Sequence, residues 1–165
     1  MEPTKACTKC GVVKPHSAFS KHRLSKDGHA YQCKECGNRR AKAWRKTPIG
    51  IYTNIKGREN FYHRAELLVS KEDFVEWYNA QPKYCVYCDI PEEKTTIWKK
   101  LFNHRSTKLS VDRKDSFGNY VFDNMALCCY LCNTIKNNVL SFDEMRYVGQ
   151  VFLKPKWQNF VGKRR

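Results

Sequence analysis

A chain of 165 residues has room for one moderate domain or two small ones. Its thirty-one Lys and Arg against sixteen Asp and Glu leave a net charge of +15, which points to a polyanionic partner. No stretch reaches the eighteen or so consecutive apolar residues of a membrane span, and no basic helix carries a strong apolar face, so no membrane partner is expected. The opening MEPTKACTKC lacks the apolar core of a signal peptide, and an intracellular protein is the expectation.

The charge is uneven. Residues 1–64 carry fifteen basic and four acidic side chains, whereas residues 65–165 carry sixteen and twelve, so the front of the chain is the stronger phosphate gripper. Of nine cysteines, eight form CxxC pairs: Cys7 with Cys10, Cys33 with Cys36, Cys85 with Cys88, and Cys129 with Cys132. In a reducing compartment such pairs suit zinc, because a knuckle turn aims two thiolates at one point and two knuckles complete a tetrahedron. Pairing them in sequence order closes loops of 22 and 40 residues and costs least in closure entropy. Cys128, left over, reads as a small buried residue.

In chain order, residues 1–46 form a small zinc module, too short for a sizeable core, whose folding is expected to depend on metal. Its run GNRRAKAWRK is helical in pattern, and Arg39, Arg40, Lys42 and Arg45 are candidates for DNA contact, against the plainer reading of a solvated basic face. Thr47 and Pro48 end that helix, and residues 47–69 read as a connector with some helix. A domain over residues 70–153 follows. Ser70 and Asp73 cap a helix that runs to about Ala80 and buries Phe74, Trp77 and Tyr78; Pro82 ends it and YCVYC makes the third knuckle. From Cys88 to Leu109 the pattern gives a lysine-rich loop or short helix. LSVDR alternates as a strand with Leu109 and Val111 inward, GNY turns, NMALC is a second strand, and CYLCNTIKNN is a helix starting on the fourth knuckle. Ser141 and Glu144 form a capping box, Phe142, Met145, Val148 and Phe152 give a core stripe, and Pro155 ends that helix. The remaining basic tail, residues 154–165, reads as unfolded.

Strand, turn, strand and helix, with Asp112 near the end of the first strand and Asn133 directly after a zinc cysteine, is the arrangement of a ββα-metal site. The fold class expected is therefore small α+β, zinc-stabilised, with a ββα-metal core and an N-terminal four-cysteine module. A CxxC pair followed by VDR, DN and CxxCN with IK after it resembles the zinc-bearing HNH endonucleases. The likeness is strongest to their rare-cutting restriction members, through VDRKDSF, Tyr120, Asn124, CNTIKNN and SFDEM, and covers Tyr84 to about Gly149. Phage recombination endonucleases share the CxxC and CxxCN frame more loosely.

The resemblance implies a DNA endonuclease with two structural Zn²⁺ and one catalytic divalent cation, most simply Mg²⁺, on Asp112 and Asn133. It implies double-stranded DNA as partner, a bacterial or phage-infected host cytoplasm, and a homodimer if both strands of a palindrome are cut. It also implies that Asn124 braces the loop between the strands, and that Arg113 and Lys136 hold phosphate. The family's histidine after the aspartate is absent. Arg113 stands there, and an arginine is no base at neutral pH. Tyr120 is one candidate for activating water, although a free tyrosine has a pKa of about 10 and needs help from a neighbouring cation. His104 is the other, against the plainer reading of a DNA contact. Three alternatives stay open: a zinc-dependent DNA-binding or regulatory protein whose nuclease site has lapsed, a phage homing or nicking enzyme, and an RNA-directed zinc protein.

Overall fold

The computed structural model describes residues 2–62, 65–103 and 108–162, apart from the side chains of 60–62. It divides into two compact units, Met1–Gly50 and Ile51–Arg165.

The first unit is two small hairpins and a helix. Strand β1 (Thr4–Ala6) pairs antiparallel with β2 (Val13–Pro15) around the CTKCG turn, where Gly11 donates to the Cys7 carbonyl at 2.8 Å and takes φ +72°, a conformation that favours glycine. Strand β3 (Phe19–Lys21) pairs with β4 (His29–Cys33), which runs straight into α1 (Lys34–Trp44). The buried apolar set is Cys7, Phe19, Cys33 and Cys36, with Ala18 beside them. So small a core cannot offset the ordering of some fifty residues, and a metal ion held by its four cysteines would supply the balance.

The segment read as a connector with some helix carries one from Pro48 onward. Thr47 accepts from the Gly50 N–H at 3.1 Å and Pro48 occupies the first position of a helix, where its missing donor is harmless. The result is α2 (Pro48–Tyr62), whose Ile55 joins the second unit's core.

That core gathers Leu67, Phe74, Tyr78, Tyr87, Ile90, Trp98, Leu109, Val111, Leu127 and Met145. Helix α3 (Lys71–Ala80) is capped by the Ser70 hydroxyl on the Asp73 N–H at 3.1 Å; it buries Phe74 and Tyr78 and leaves Trp77 half-buried. The lysine-rich segment contains α4 (Thr96–Phe102), with Ile97 and Trp98 buried. Strands β5 (Leu109–Arg113) and β6 (Met125–Cys129) are antiparallel, with Asp112 opposite Ala126, and β6 passes directly into α5 (Tyr130–Lys136). Cys128 is fully buried.

Helix α6 (Phe142–Val148) opens on a complete Ser141/Glu144 capping box. Two expectations fail beyond it. A π turn over Gly149–Leu153 adds a residue to the helical repeat, so the stripe slips by one: Leu153 is buried and Phe152 is exposed. The same turn bonds the Lys154 N–H to the Gly149 carbonyl and absorbs Pro155. The tail therefore continues as α7 (Lys154–Gly162), anchored by buried Trp157, whose indole donates to the Cys88 carbonyl at 2.9 Å. Among the described residues no helix is long and apolar enough to cross a membrane.

Candidate active site

The cysteine knuckles converge as their spacing demands. The sulfurs of Cys7, Cys10, Cys33 and Cys36 lie within 4.8 Å of one another, and so do those of Cys85, Cys88, Cys129 and Cys132. A tetrahedral zinc with Zn–S bonds of about 2.3 Å requires sulfurs a little under 4 Å apart, so both sets fit the ion. In the first, the Cys33 N–H donates to the Cys7 sulfur at 3.3 Å and, as the largest influence, holds that thiol down to about 6, which favours the thiolate a metal needs. In the second, the Cys129 sulfur accepts the Cys132 N–H at 3.5 Å and thereby caps α5.

Helix α5 carries Asn133 and Lys136 onto one face of β5, the face that strand alternation gives to Ser110 and Asp112. Asp112 is buried. Its Oδ2 accepts a 2.6 Å hydrogen bond from the Tyr87 hydroxyl and lies 3.6 Å from the Lys136 Nζ. Burial pushes the Asp112 carboxyl above the usual range, while the Tyr87 bond and the Lys136 charge oppose it. Tyr87 is itself pushed up, first by burial and then by its bond to Asp112. The Asn133 amide donates to the Ser110 hydroxyl at 3.2 Å, and its side-chain oxygen takes no hydrogen bond among the described residues.

Lys136 does not sit where a DNA contact would. Its side chain is fully buried, donating to the Arg113 carbonyl at 2.9 Å and the Ser116 hydroxyl at 2.6 Å, so the expectation that it holds phosphate is corrected. The last turn of α5 folds the ammonium back onto a buried carboxylate, a better partner in that place than any solvated phosphate.

Arg113, in phase with Leu109 and Val111, leaves β5 on the other face. It donates to the Gly118 carbonyl at 2.7 Å and lies 5.2 Å over the Tyr120 ring. Tyr120 is held by its backbone, which donates to the Glu66 carbonyl at 2.8 Å and accepts from the Leu68 N–H at 3.1 Å. Its ring borders a small cavity of about 50 Å³ that Arg58 from α2 also lines. Asn124 clasps the intervening loop: its Oδ1 accepts the Asp115 N–H at 2.7 Å and its Nδ2 donates to the Asp115 and Asn119 carbonyls. His104 lies outside the described residues. On α1 and just after it, Arg39, Arg40, Lys42 and Arg45 are all exposed, with Arg39 paired to Glu35 at 3.2 Å.

Sequence reasoning missed Tyr87, Ser110 and Arg58. Tyr87 lies inside the CVYC knuckle, between two cysteines whose spacing signals metal, and no local pattern marks it as the side chain that packing turns inward. Ser110 shares a strand face with Asp112 and was legible from alternation alone. Nothing local marks Arg58.

No family model matches this chain and no curated protein matches it. Among solved structures, the chain is similar to the rare-cutting HNH restriction endonuclease PacI, described for an extraordinary mechanism of DNA perturbation. The TM-score is 0.57 at 25% sequence identity, over 94% of this chain and 97% of that one. This chain is a small α+β protein that shares its fold with an HNH endonuclease and carries two four-cysteine clusters spaced to hold zinc.

Proposed function

We propose that this protein is an HNH-type DNA endonuclease that hydrolyses phosphodiester bonds, cutting both strands at a specific site as a homodimer. The observation that carries the reading is the match to an HNH restriction endonuclease along almost the whole chain, with an acid and an amide set on a zinc-braced strand and helix. The strongly basic composition fits the substrate.

Asp112 and Asn133 would hold one divalent cation, most simply Mg²⁺. Both are hard-oxygen ligands, and the Asn133 amide already points its nitrogen at Ser110 and so presents its oxygen. Such an ion supplies stabilisation of charge on the leaving oxygen. The chain's own residues do the rest. Tyr87 and Lys136 fix the Asp112 carboxylate, Arg113 meets the phosphate, and Tyr120, under the Arg113 guanidinium, takes the proton from water. His104 is the competing base. Exposed Arg39, Arg40, Lys42 and Arg45 grip the DNA backbone through the first unit.

One observation favours a second reading, a zinc-dependent DNA-binding protein without nuclease activity: the Lys136 ammonium already stands 3.6 Å from the acid that would take the metal. Incubation with supercoiled and linear DNA in Mg²⁺ separates the two. Discrete fragments are expected. Binding without cleavage across a series of divalent metals would remove the enzyme, and a smear would remove its specificity. Metal analysis is expected to give two zinc ions per chain.

A further inference from the structure

The first unit contains a groove of about 480 Å³ between β4 and α1, lined by His22, Tyr31, Gln32, Lys34, Asn38 and Arg40 among others, with no carboxylate among its described lining residues. We propose that this groove receives a single unstacked base of DNA, stacked on Tyr31, as part of how the first unit engages its substrate. The proposal rests on DNA being the partner.

Five features converge on a nucleotide. The volume lies in the range of small-ligand clefts. Tyr31 is 61% exposed yet not loose: its carbonyl accepts from the Thr8 N–H at 3.1 Å and the Thr8 hydroxyl at 3.2 Å, and the Lys5 ammonium stands 5.7 Å from its ring centre. The His22 ring lies 6.5 Å from it at an angle of 50°, a second aromatic wall beside the Tyr31 face on which a base of any sequence can stack. The Gln32 and Asn38 amides make no side-chain hydrogen bond among the described residues, and each offers a donor and an acceptor of the kind that reads a base edge. The Arg40 guanidinium, exposed at the rim and also without a partner among the described residues, suits the attached phosphate.

A concave site takes one ring whose faces are free, which a stacked duplex does not present. The neighbouring hairpin tip bears what could free one. Leu24 is 84% exposed between Arg23 and Lys26, while Ser25 beside it is buried and bonded to the His22 ring at 2.9 Å, so the tip is held rather than floppy. An apolar side chain among cations is the composition of residues that wedge between base steps.

The test uses the full-length, zinc-loaded protein without added divalent metal, so that hydrolysis does not enter. Anisotropy of a short labelled single-stranded DNA of mixed sequence is expected to report binding that Tyr31→Ala weakens about tenfold. Tyr31→Phe, which keeps the ring, is expected to leave the affinity unchanged. Arg40→Gln is expected to lower the slope of log affinity on log salt by about one. Unchanged affinity in Tyr31→Ala, or a loss as large in Tyr31→Phe, overturns the proposal. Markedly tighter binding of the matching RNA overturns the assignment to DNA. Should Tyr31→Ala lose its N-terminal zinc, Tyr31→Leu, which keeps bulk and removes the π face, is read by the same criterion. DNA cleavage in Mg²⁺ is scored separately: cleavage without Tyr31-dependent binding sinks only this inference, and Tyr31-dependent binding without cleavage sinks only the nuclease reading.

Discussion

Lys136→Met tests whether the buried ammonium exists to compensate Asp112. Methionine keeps the length and apolar bulk of the lysine stem and removes the charge, together with the bonds to the Arg113 carbonyl at 2.9 Å and the Ser116 hydroxyl at 2.6 Å. It leaves a buried carboxylate whose remaining side-chain partner is the Tyr87 hydroxyl. Breaking one side of a buried pair costs about 3–5 kcal/mol, because the surviving charge stays desolvated. In an Asp112→Asn background that charge is gone and only the lost hydrogen bonds remain, about 1–3 kcal/mol. The double-mutant cycle is therefore expected to show a coupling of about 2 kcal/mol. Urea unfolding at neutral pH and saturating zinc, followed by fluorescence of the buried Trp98 and Trp157, measures it. An equal cost of Lys136→Met in both backgrounds would refute the reasoning and make Lys136 a backbone clamp with no electrostatic duty.

Tyr120→Phe is expected to lower the cleavage rate by about a hundredfold or more while leaving DNA affinity intact, whereas His104→Ala is expected to change neither; an undiminished rate in Tyr120→Phe rules out the tyrosine as base. Gly149→Ala would put a Cβ 2.3 Å from the Tyr87 carbonyl oxygen, a backbone atom that cannot step aside, and is expected to cost about 1–3 kcal/mol in thermal unfolding; an unchanged Tm contradicts that packing. Tyr87→Phe removes the 2.6 Å bond to Asp112 and is expected to keep both zinc ions yet raise the Mg²⁺ needed for half-maximal cleavage about 10–100-fold. A Mg²⁺ dependence identical to wild type would mean that Tyr87 orients nothing.

What sequence disclosed was whatever depends on neighbours in the chain. The knuckles are CxxC turns, the cap at Ser141 is a reciprocal bond within four residues, and the LSVDR strand shows its own period, so the two four-cysteine sets, the capping box and the inward positions of Leu109 and Val111 could all be read off letters. What it hid depends on partners distant in sequence. Gly149 passes against the Tyr87 carbonyl and the helix there widens into a π turn, so nothing in the run from Phe142 to Phe152 announces that Leu153 will face inward instead. Lys136 looks like any helix lysine until β5 is laid beside it with a buried acid on the facing side. The 47–69 segment looks like a connector because its helix has no apolar stripe of its own; among its described residues Ile55 and Leu67 enter the core, with Ile51 and Tyr52 packed against it.

The second four-cysteine cluster does more than bring two turns together. The third knuckle carries Cys85 and Cys88 as ligands and, between them, Tyr87, whose hydroxyl grips Asp112; its Val86 N–H donates to the Leu127 carbonyl of β6 at 2.9 Å. The fourth knuckle carries Cys129 and Cys132 and launches the helix that delivers Asn133 and Lys136. Each side of the acid is thus covered by a segment whose other end is a cysteine of one four-cysteine cluster, so a zinc ion held there would fix the carboxylate, the amide and the lysine relative to one another without touching any of them. Precision of that kind is hard to obtain from the packing of a seven-residue helix on a two-stranded ladder alone. Removal of a zinc ion held by this cluster is therefore expected to disperse the candidate active site as a unit, the arrangement of β5 and α5 then depending on the metal as much as on the sequence between its ligands.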